Sequence, residues 1–303
     1  MHDHSNAAKG GFQMTKARML RELMSQGLVI APFCPNAFHA KIAQLVGFKA
    51  VYMTGFGTSA DRGYPDVGLL TQTEMLQNAK YIINAVDLPV ICDADTGYGN
   101  AINVWRTVRE YESLGAAAIH IEDQVLSKKC GFFAGKQVIA MEEHVQKIKA
   151  ALDARRDKEF VIIARCDALA VTGWEDTIRR SRAYYDAGAD VIFVEGIKTM
   201  EDLKTYAREL KDLPRLYNGG RLVRATPQEL EEMGFKISIT GGTTQVVFVS
   251  VRNAFQQLKD TGLVSPQLMG EASDHEEMLK MLGLPRIYEM EKKYGVGAEG
   301  KEA

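Results

Sequence analysis

The chain carries no excess of either charge. Its 37 Lys and Arg against 39 Asp and Glu leave a formal charge of −2 over 303 residues. A nucleic-acid binder usually shows a strong basic excess, so that class is disfavoured. Cysteine is scarce: Cys34, Cys92, Cys130 and Cys166 are the only four. None sit at metal-binding spacing and none suggest a disulfide framework, a usage that fits a reducing cytoplasm. Residues 1–14 are polar and lack a long apolar run. They read as a flexible N-terminal tail, with no secretory signal and no membrane span. His2 and His4 are too few for a metal-binding tract.

Short apolar runs recur instead. They are Leu28-Pro32, Ala50-Thr54, Pro89-Cys92, Ala117-Ile121, Phe160-Ala164, Val191-Val194, Arg215-Tyr217 and Lys236-Ile239. Continuous runs, rather than alternating ones, mark strands buried on both faces, as in a parallel sheet. Helical segments lie between them. Thr71–Glu74 and Thr226–Glu229 have capping-box spacing, the second with Pro227 at the first helical position. Gly47, Gly115, Gly188 and Gly234 each stand just before a run, where a left-handed residue can stop a helix. Eight strand–helix units predict a (β/α)8 TIM barrel over residues 15–255. A doubly wound sheet would gather its polar residues at one switch point. Here they end nearly every run. Residues 256–303, broken by Gly262, Pro266, Gly270, Gly283 and Pro285, predict two or three extra helices and a homo-oligomer.

The polar strand ends carry the chemistry. Asp93 and Asp95 lie two apart, so both face the barrel mouth if the strand runs on to Asp95. Glu122 ends the next run, and Asp66 lies in the loop after Thr54. Magnesium takes oxygen ligands and keeps several waters, so one or two direct carboxylates suffice. Lys128 and Lys129 precede Cys130, and lysines lower a thiol pKa and ready it for proton transfer. Gly131 and Gly135 flank Phe132-Phe133-Ala134, followed by Lys136. Such a loop suits a lid that excludes water from a carbanion. Arg165 suits bidentate carboxylate or phosphate recognition. Glu195 and Asn218 end later runs. The Gly219-Gly220 and Gly241-Gly242 pairs are weak signals for an anion cradle. Cys92 and Cys166 read as core and Cys34 stays open. His120 reads as barrel interior, and His39 and His144 as helix surface.

Taken together, Thr54-Gly55-Phe56-Gly57, Pro65-Asp66-Val67-Gly68, Asp93-Ala-Asp95-Thr-Gly-Tyr-Gly99, His120-Ile-Glu122-Asp123-Gln124, Lys128-Lys-Cys130-Gly131 and Ala164-Arg165-Cys-Asp167-Ala168 resemble the isocitrate lyase / phosphoenolpyruvate mutase superfamily over residues 15–255. The resemblance implies a barrel whose last helix is exchanged between subunits, usually in a homotetramer. It implies Mg²⁺, with Mn²⁺ as a substitute, stabilising the enolate of a 2-oxo acid. Asp93 then corresponds to the direct metal ligand, and Asp66, Asp95 and Glu122 to holders of metal waters. Thr54, Gly55 and Phe56 correspond to the loop that binds the oxo-acid carboxylate. Arg165, Glu195 and Asn218 correspond to substrate contacts, and Lys128, Cys130, Gly131 and Phe132 to the lyase lid, whose thiol protonates the leaving carbanion.

Departures from the family pattern bear on the substrate. Phe132 stands where lyases usually have histidine, and Arg221 where a glutamate often follows the asparagine by three. Thr54 replaces a frequent serine and Cys166 a usual threonine. A site built for one polar substrate cannot lose such partners without penalty, which weighs against methylisocitrate with its extra carboxylates. The leading expectation is a carbon–carbon lyase acting on a 2-hydroxy acid with a 3-carboxylate, a substituted malate or methylisocitrate type. The alternatives are a phosphonomutase or phosphonopyruvate hydrolase-type enzyme, and a non-catalytic oxo-acid binding protein. Expected partners are a small carboxylate and copies of the chain, with no nucleic acid and no membrane.

Overall fold

A computed structural model describes residues 14–131, 133–219 and 222–296. In chain order the elements are α1 (Lys16–Gln26), β1 (Val29–Cys34), α2 (Ala37–Leu45), β2 (Val51–Met53), α3 (Gly55–Asp61), α4 (Gln72–Ala85), β3 (Val90–Asp93), α5 (Ala101–Ser113), β4 (Ala118–Glu122), α6 (Met141–Ala154), β5 (Val161–Cys166), α7 (Trp174–Asp186), β6 (Val191–Val194), α8 (Met200–Glu209), β7 (Arg215–Asn218), α9 (Pro227–Glu232) and β8 (Ile237–Thr240). Then come α10 (Thr243–Thr261), α11 (Pro266–Met269), α12 (Ala272–Leu282) and α13 (Leu284–Tyr294). The eight strands are parallel and form a closed barrel in sequence order. Closure is made by β1 on β8, with Val29 opposite Ile237 and Pro32 opposite Thr240. The expected (β/α)8 TIM barrel is the fold observed.

The continuous apolar runs have the predicted cause, because both faces of the strands are buried. One set of side chains, including Ala31, Tyr52, Ile91, Ile163, Phe193, Leu216 and Ile239, fills the barrel with Leu20 of α1 packed into the same cluster. The alternate set, including Val51, Met53, Cys92, Ile119, Ile121, Ile162 and Val194, meets the surrounding helices. Both expected capping boxes form, at α4 and α9. The four glycines before β2, β4, β6 and β8 have φ between +79° and +108°.

Strand ends differ from expectation. β3 runs to Asp93, β4 to Glu122 and β5 to Cys166. Ladder hydrogen bonds continue past the apolar run, so Glu122 pairs directly with Arg165 and Asp93 with His120. β3 does not reach Asp95. The chain leaves through a left-handed turn at that residue, φ +47°, closed by its N–H on Asp93 Oδ1 at 3.0 Å. His144 is not on the surface of α6. It is fully buried, its ring packed edge-on against Tyr184 with centroids 4.5 Å apart. His39 is half-buried, 2.9 Å from the capping Asn36 side chain. Cys34 is buried, as are Cys92 and Cys166.

Three helices follow α10, and α10 itself buries no side chain. Val246, Phe248, Val249, Phe255 and Leu258 are exposed along it. Among the described residues no helix is long and apolar enough to cross a membrane.

Candidate active site

A cavity of about 720 Å³ opens at the C-terminal mouth of the barrel, the face where barrels of this type place their chemistry. Thr54, Phe56, Asp66, Asp93, Cys130, Gly131, Arg165, Glu195 and Asn218 all line it. One fold feature therefore gathers most of the residues singled out from the sequence, while Gly55, Asp95, Glu122 and Lys128 are buried and do not line it. Phe132 and Arg221 lie outside the described residues.

Asp93 sits at the centre. Its Oδ2 accepts the Gly55 N–H at 3.1 Å, and Tyr52 Oη lies 3.4 Å away. Gly55 starts α3, and the Thr54 side chain caps that helix through the Gly57 N–H. A Cβ at Gly55 would collide with Asp93 Oδ2, so only glycine lets the backbone approach this carboxylate. Burial opposes the Asp93 charge, but His120, Lys128, Arg165 and the Asp95 N–H outweigh it and hold the carboxyl at about 2. Burial pushes His120 itself down to about 4, so at neutral pH the lasting countercharges are Lys128 and Arg165.

Lys128 is buried among acids. Its Nζ lies 2.6 Å from Asp66 Oδ1 and 2.8 Å from Asp95 Oδ1. Burial resists the ammonium, but Asp95, Glu122, Asp93 and Asp66 hold its pKa well above the usual lysine value. Asp95 moves the other way: burial, with Asp93 and Asp66 nearby, pushes its carboxyl up to about 6. Burial also pushes Glu122 well above the ordinary carboxylate range. Arg165 Nη1 lies 3.1 Å from Glu122 Oε2, while Glu122 Oε1 is buried with no hydrogen-bond partner among the described residues.

Both lysines were expected to act on the thiol, and the structure shows other partners for each ammonium. Lys128 points into the carboxylates, and Lys129 Nζ donates to the Ala134 carbonyl at 3.4 Å. Their loop is fastened by Gln124, whose amide exchanges hydrogen bonds of 2.9 and 3.0 Å with the Lys129 backbone. The Cys130 N–H donates to the Asp66 carbonyl at 3.0 Å, which places a buried thiol on the cavity wall. Gly131 lets the loop close onto Glu195: a Cβ there would lie 2.5 Å from the Glu195 carboxyl carbon. Asn218 Nδ2 donates to Glu195 Oε2 at 2.9 Å.

The donor set suits a hard divalent cation. It consists of carboxylate oxygens, and Asp95 Oδ1 and both Glu122 oxygens are buried without a hydrogen bond among the described residues. Among the described residues no three acidic, histidine or cysteine side chains are arranged to hold an ion directly. Mg²⁺ takes one or two direct carboxylates and fills the rest of its shell with water.

The sequence reading gave no role to Tyr52 or Asp167. Tyr52 precedes Thr54 by two residues and Asp167 follows Arg165 by two, so strand alternation already put each pair on one side. Arg224 lines the cavity from a loop that no periodicity places.

The phosphoenolpyruvate phosphomutase family model matches residues 20–259. A 2,3-dimethylmalate lyase from Eubacterium barkeri is 42% identical over 291 residues, covering 94% of this chain and 100% of that relative. Among solved structures, an oxaloacetate acetylhydrolase bound to 3,3-difluorooxalacetate superposes with a TM-score of 0.85 at 35% identity, over 93% of this chain and 97% of the other. A phosphonopyruvate hydrolase in complex with oxalate and Mg²⁺ gives 0.84 at 30% identity, over 93% and 99%. Barrel, acidic rim and relatives agree: this chain belongs to the PEP mutase/isocitrate lyase superfamily.

Proposed function

We propose that the protein is a Mg²⁺-dependent lyase that cleaves the C2–C3 bond of a substituted malate, giving a 2-oxo acid and a carboxylic acid. The observation that carries this reading is the thiol of Cys130 on the wall of the cavity that Asp93, Asp66 and Arg165 also line. Carbon–carbon cleavage leaves a carbanion at C3 that needs a proton, and a thiol in a closed site can give one.

Asp93 would bind the cation, with Asp66, Asp95 and Glu122 around it. When bound there, the cation supplies Lewis-acid stabilisation to the oxo-acid product. The Gly55 and Phe56 N–H groups, at the capped start of α3, orient the oxo-acid carboxylate. Arg165 offers its guanidinium to the substrate from the opposite wall. A base removes the 2-hydroxyl proton, the pair left on that oxygen forms the C2=O double bond, and the C2–C3 pair moves to C3. Cys130 then gives C3 its proton and becomes a thiolate. The loop from Gln124 to Val138 keeps water from the carbanion. Similarity to the dimethylmalate lyase supports a malate with methyl substituents.

The resemblance to phosphonopyruvate hydrolase supports a second reading, in which a C–P bond breaks. The exposed apolar face of α10 supports exchange of that helix between subunits of a homotetramer.

One assay separates the readings. The protein is incubated with Mg²⁺ and a panel of 2- and 3-substituted malates, methylisocitrate or phosphonopyruvate. Oxo acid released from a malate supports the lyase. Phosphate released from phosphonopyruvate alone replaces it with the hydrolase. Tight oxalate binding with no turnover on any substrate replaces both with a binding protein.

A further inference from the structure

The loop after β4 returns to the barrel at Lys136, a residue with no part in the proposed reaction. It is nonetheless buried, and its Nζ lies 2.9 Å from Asp167 Oδ1. Asp167 is also the partner of Arg165, whose Nε donates to Oδ2 at 2.8 Å and whose Nη2 donates to Oδ1 at 3.1 Å. One carboxylate oxygen thus faces two cations, one from the loop and one from β5. The carboxylate is itself fixed from behind. The Asp167 N–H donates to Asp123 Oδ1 at 2.8 Å, and Asp123 Oδ2 accepts from Tyr184 Oη at 2.8 Å and from Arg180 Nη1 at 3.3 Å. Asp167 is therefore a fixed anchor, and what varies is how its single negative charge is shared.

We propose that Lys136 is a positioning residue for Arg165. It takes part of the Asp167 charge, so the guanidinium, already held there by two hydrogen bonds, is not drawn further and keeps Nη1 on Glu122 and the cavity. In a buried site an unshared carboxylate draws its remaining cation closer. Without the ammonium, Arg165 would tighten onto Asp167 and the 3.1 Å approach to Glu122 would open. In the parent protein the stem of the loop that carries Cys130 and the arginine that faces the substrate thus share one buried ion-pair network. The consequence for binding rests on the substrate role of Arg165 proposed above.

The test compares Lys136→Met with Lys136→Arg. Crystal structures of the variants give a readout independent of function. In Lys136→Met the Arg165–Glu122 contact should be lost, and in Lys136→Arg it should persist. Calorimetry with Mg²⁺ and oxalate gives the second readout. Lys136→Met should bind about tenfold more weakly, the scale on which supporting partners of a site act, and Lys136→Arg close to the parent protein. Arg165→Lys should weaken binding alone, and adding Lys136→Met should cost little more, because the two act through one guanidinium. An unmoved Arg165 in Lys136→Met overturns the proposal, as does a loss that adds in full to that of Arg165→Lys. If the parent protein does not bind oxalate, the proposed function fails, and the crystal comparison still decides this inference. Lys136→Gln, which keeps a donor but no charge, stands in if the methionine variant does not fold.

Discussion

Replacing His144 by leucine should reduce the protein's sensitivity to mild acid, leaving the share that the buried His120 contributes. The imidazole is fully buried, and among the described residues neither ring nitrogen has a hydrogen-bond partner. Burial, reinforced by Lys147 and Arg180, depresses its pKa from 6.5 to about 3. A depressed histidine contributes stability that is present above the unfolded value and lost as pH falls from about 6.5 toward the folded value. Each unit is worth about 1.4 kcal/mol. At pH 5 the unfolded histidine is protonated and the folded one is not, which removes about 2 kcal/mol relative to pH 8. For a chain of this size that lowers Tm by about 3 °C. Leucine has similar volume and no titration. At pH 8 it loses the ring contact to Tyr184, worth about 1 kcal/mol. It also removes two unsatisfied polar atoms, a gain of about the same size. The variant should therefore match the parent at pH 8 and exceed it at pH 5. Thermal melts of both proteins at the two pH values measure this. Equal loss of Tm in parent and variant would refute the reasoning.

Other expectations follow from the site. Cys130→Ser should retain Mg²⁺ and oxalate binding by calorimetry and lose about 100-fold or more in turnover; full activity would remove the thiol from the mechanism. Gly55→Ala should fold normally by circular dichroism yet bind Mg²⁺–oxalate at least about tenfold more weakly, because the new Cβ meets Asp93. Parent-like affinity would show that this carboxylate is not needed where it stands. Light scattering should find an assembly larger than one chain, and Phe248→Glu with Phe255→Glu should dissociate it. A monomeric parent would sink the exchange of α10.

The barrel is legible in the sequence because parallel strands buried on both faces read as unbroken apolar runs. The helix ends are legible because capping boxes and glycines are local signals. Strand ends are not. A charged residue such as Asp93 or Arg165 reads as loop, yet the ladder carries it into the strand through its neighbours' hydrogen bonds. His144 misleads because Glu142, Glu143 and Lys149 surround it in sequence. Its spacing to Ile148 and Ala151, both buried, was the signal that it faces inward. At the site, residue types pointed to the barrel mouth, but pairings did not follow from them. That Lys128 turns to Asp66 and Asp95 depends on where the loop lands. The sharing of Asp167 between Arg165 and Lys136 depends on residues 31 positions apart.

The most direct test of the acidic rim is a crystal structure of the protein soaked with Mg²⁺ and oxalate. The account predicts an ion at about 2.1 Å from an Asp93 oxygen, with oxalate on the side facing Arg165. An ion bound away from Asp93, or a rim that stays empty while Asp93 keeps its bond to the Gly55 N–H, would contradict it.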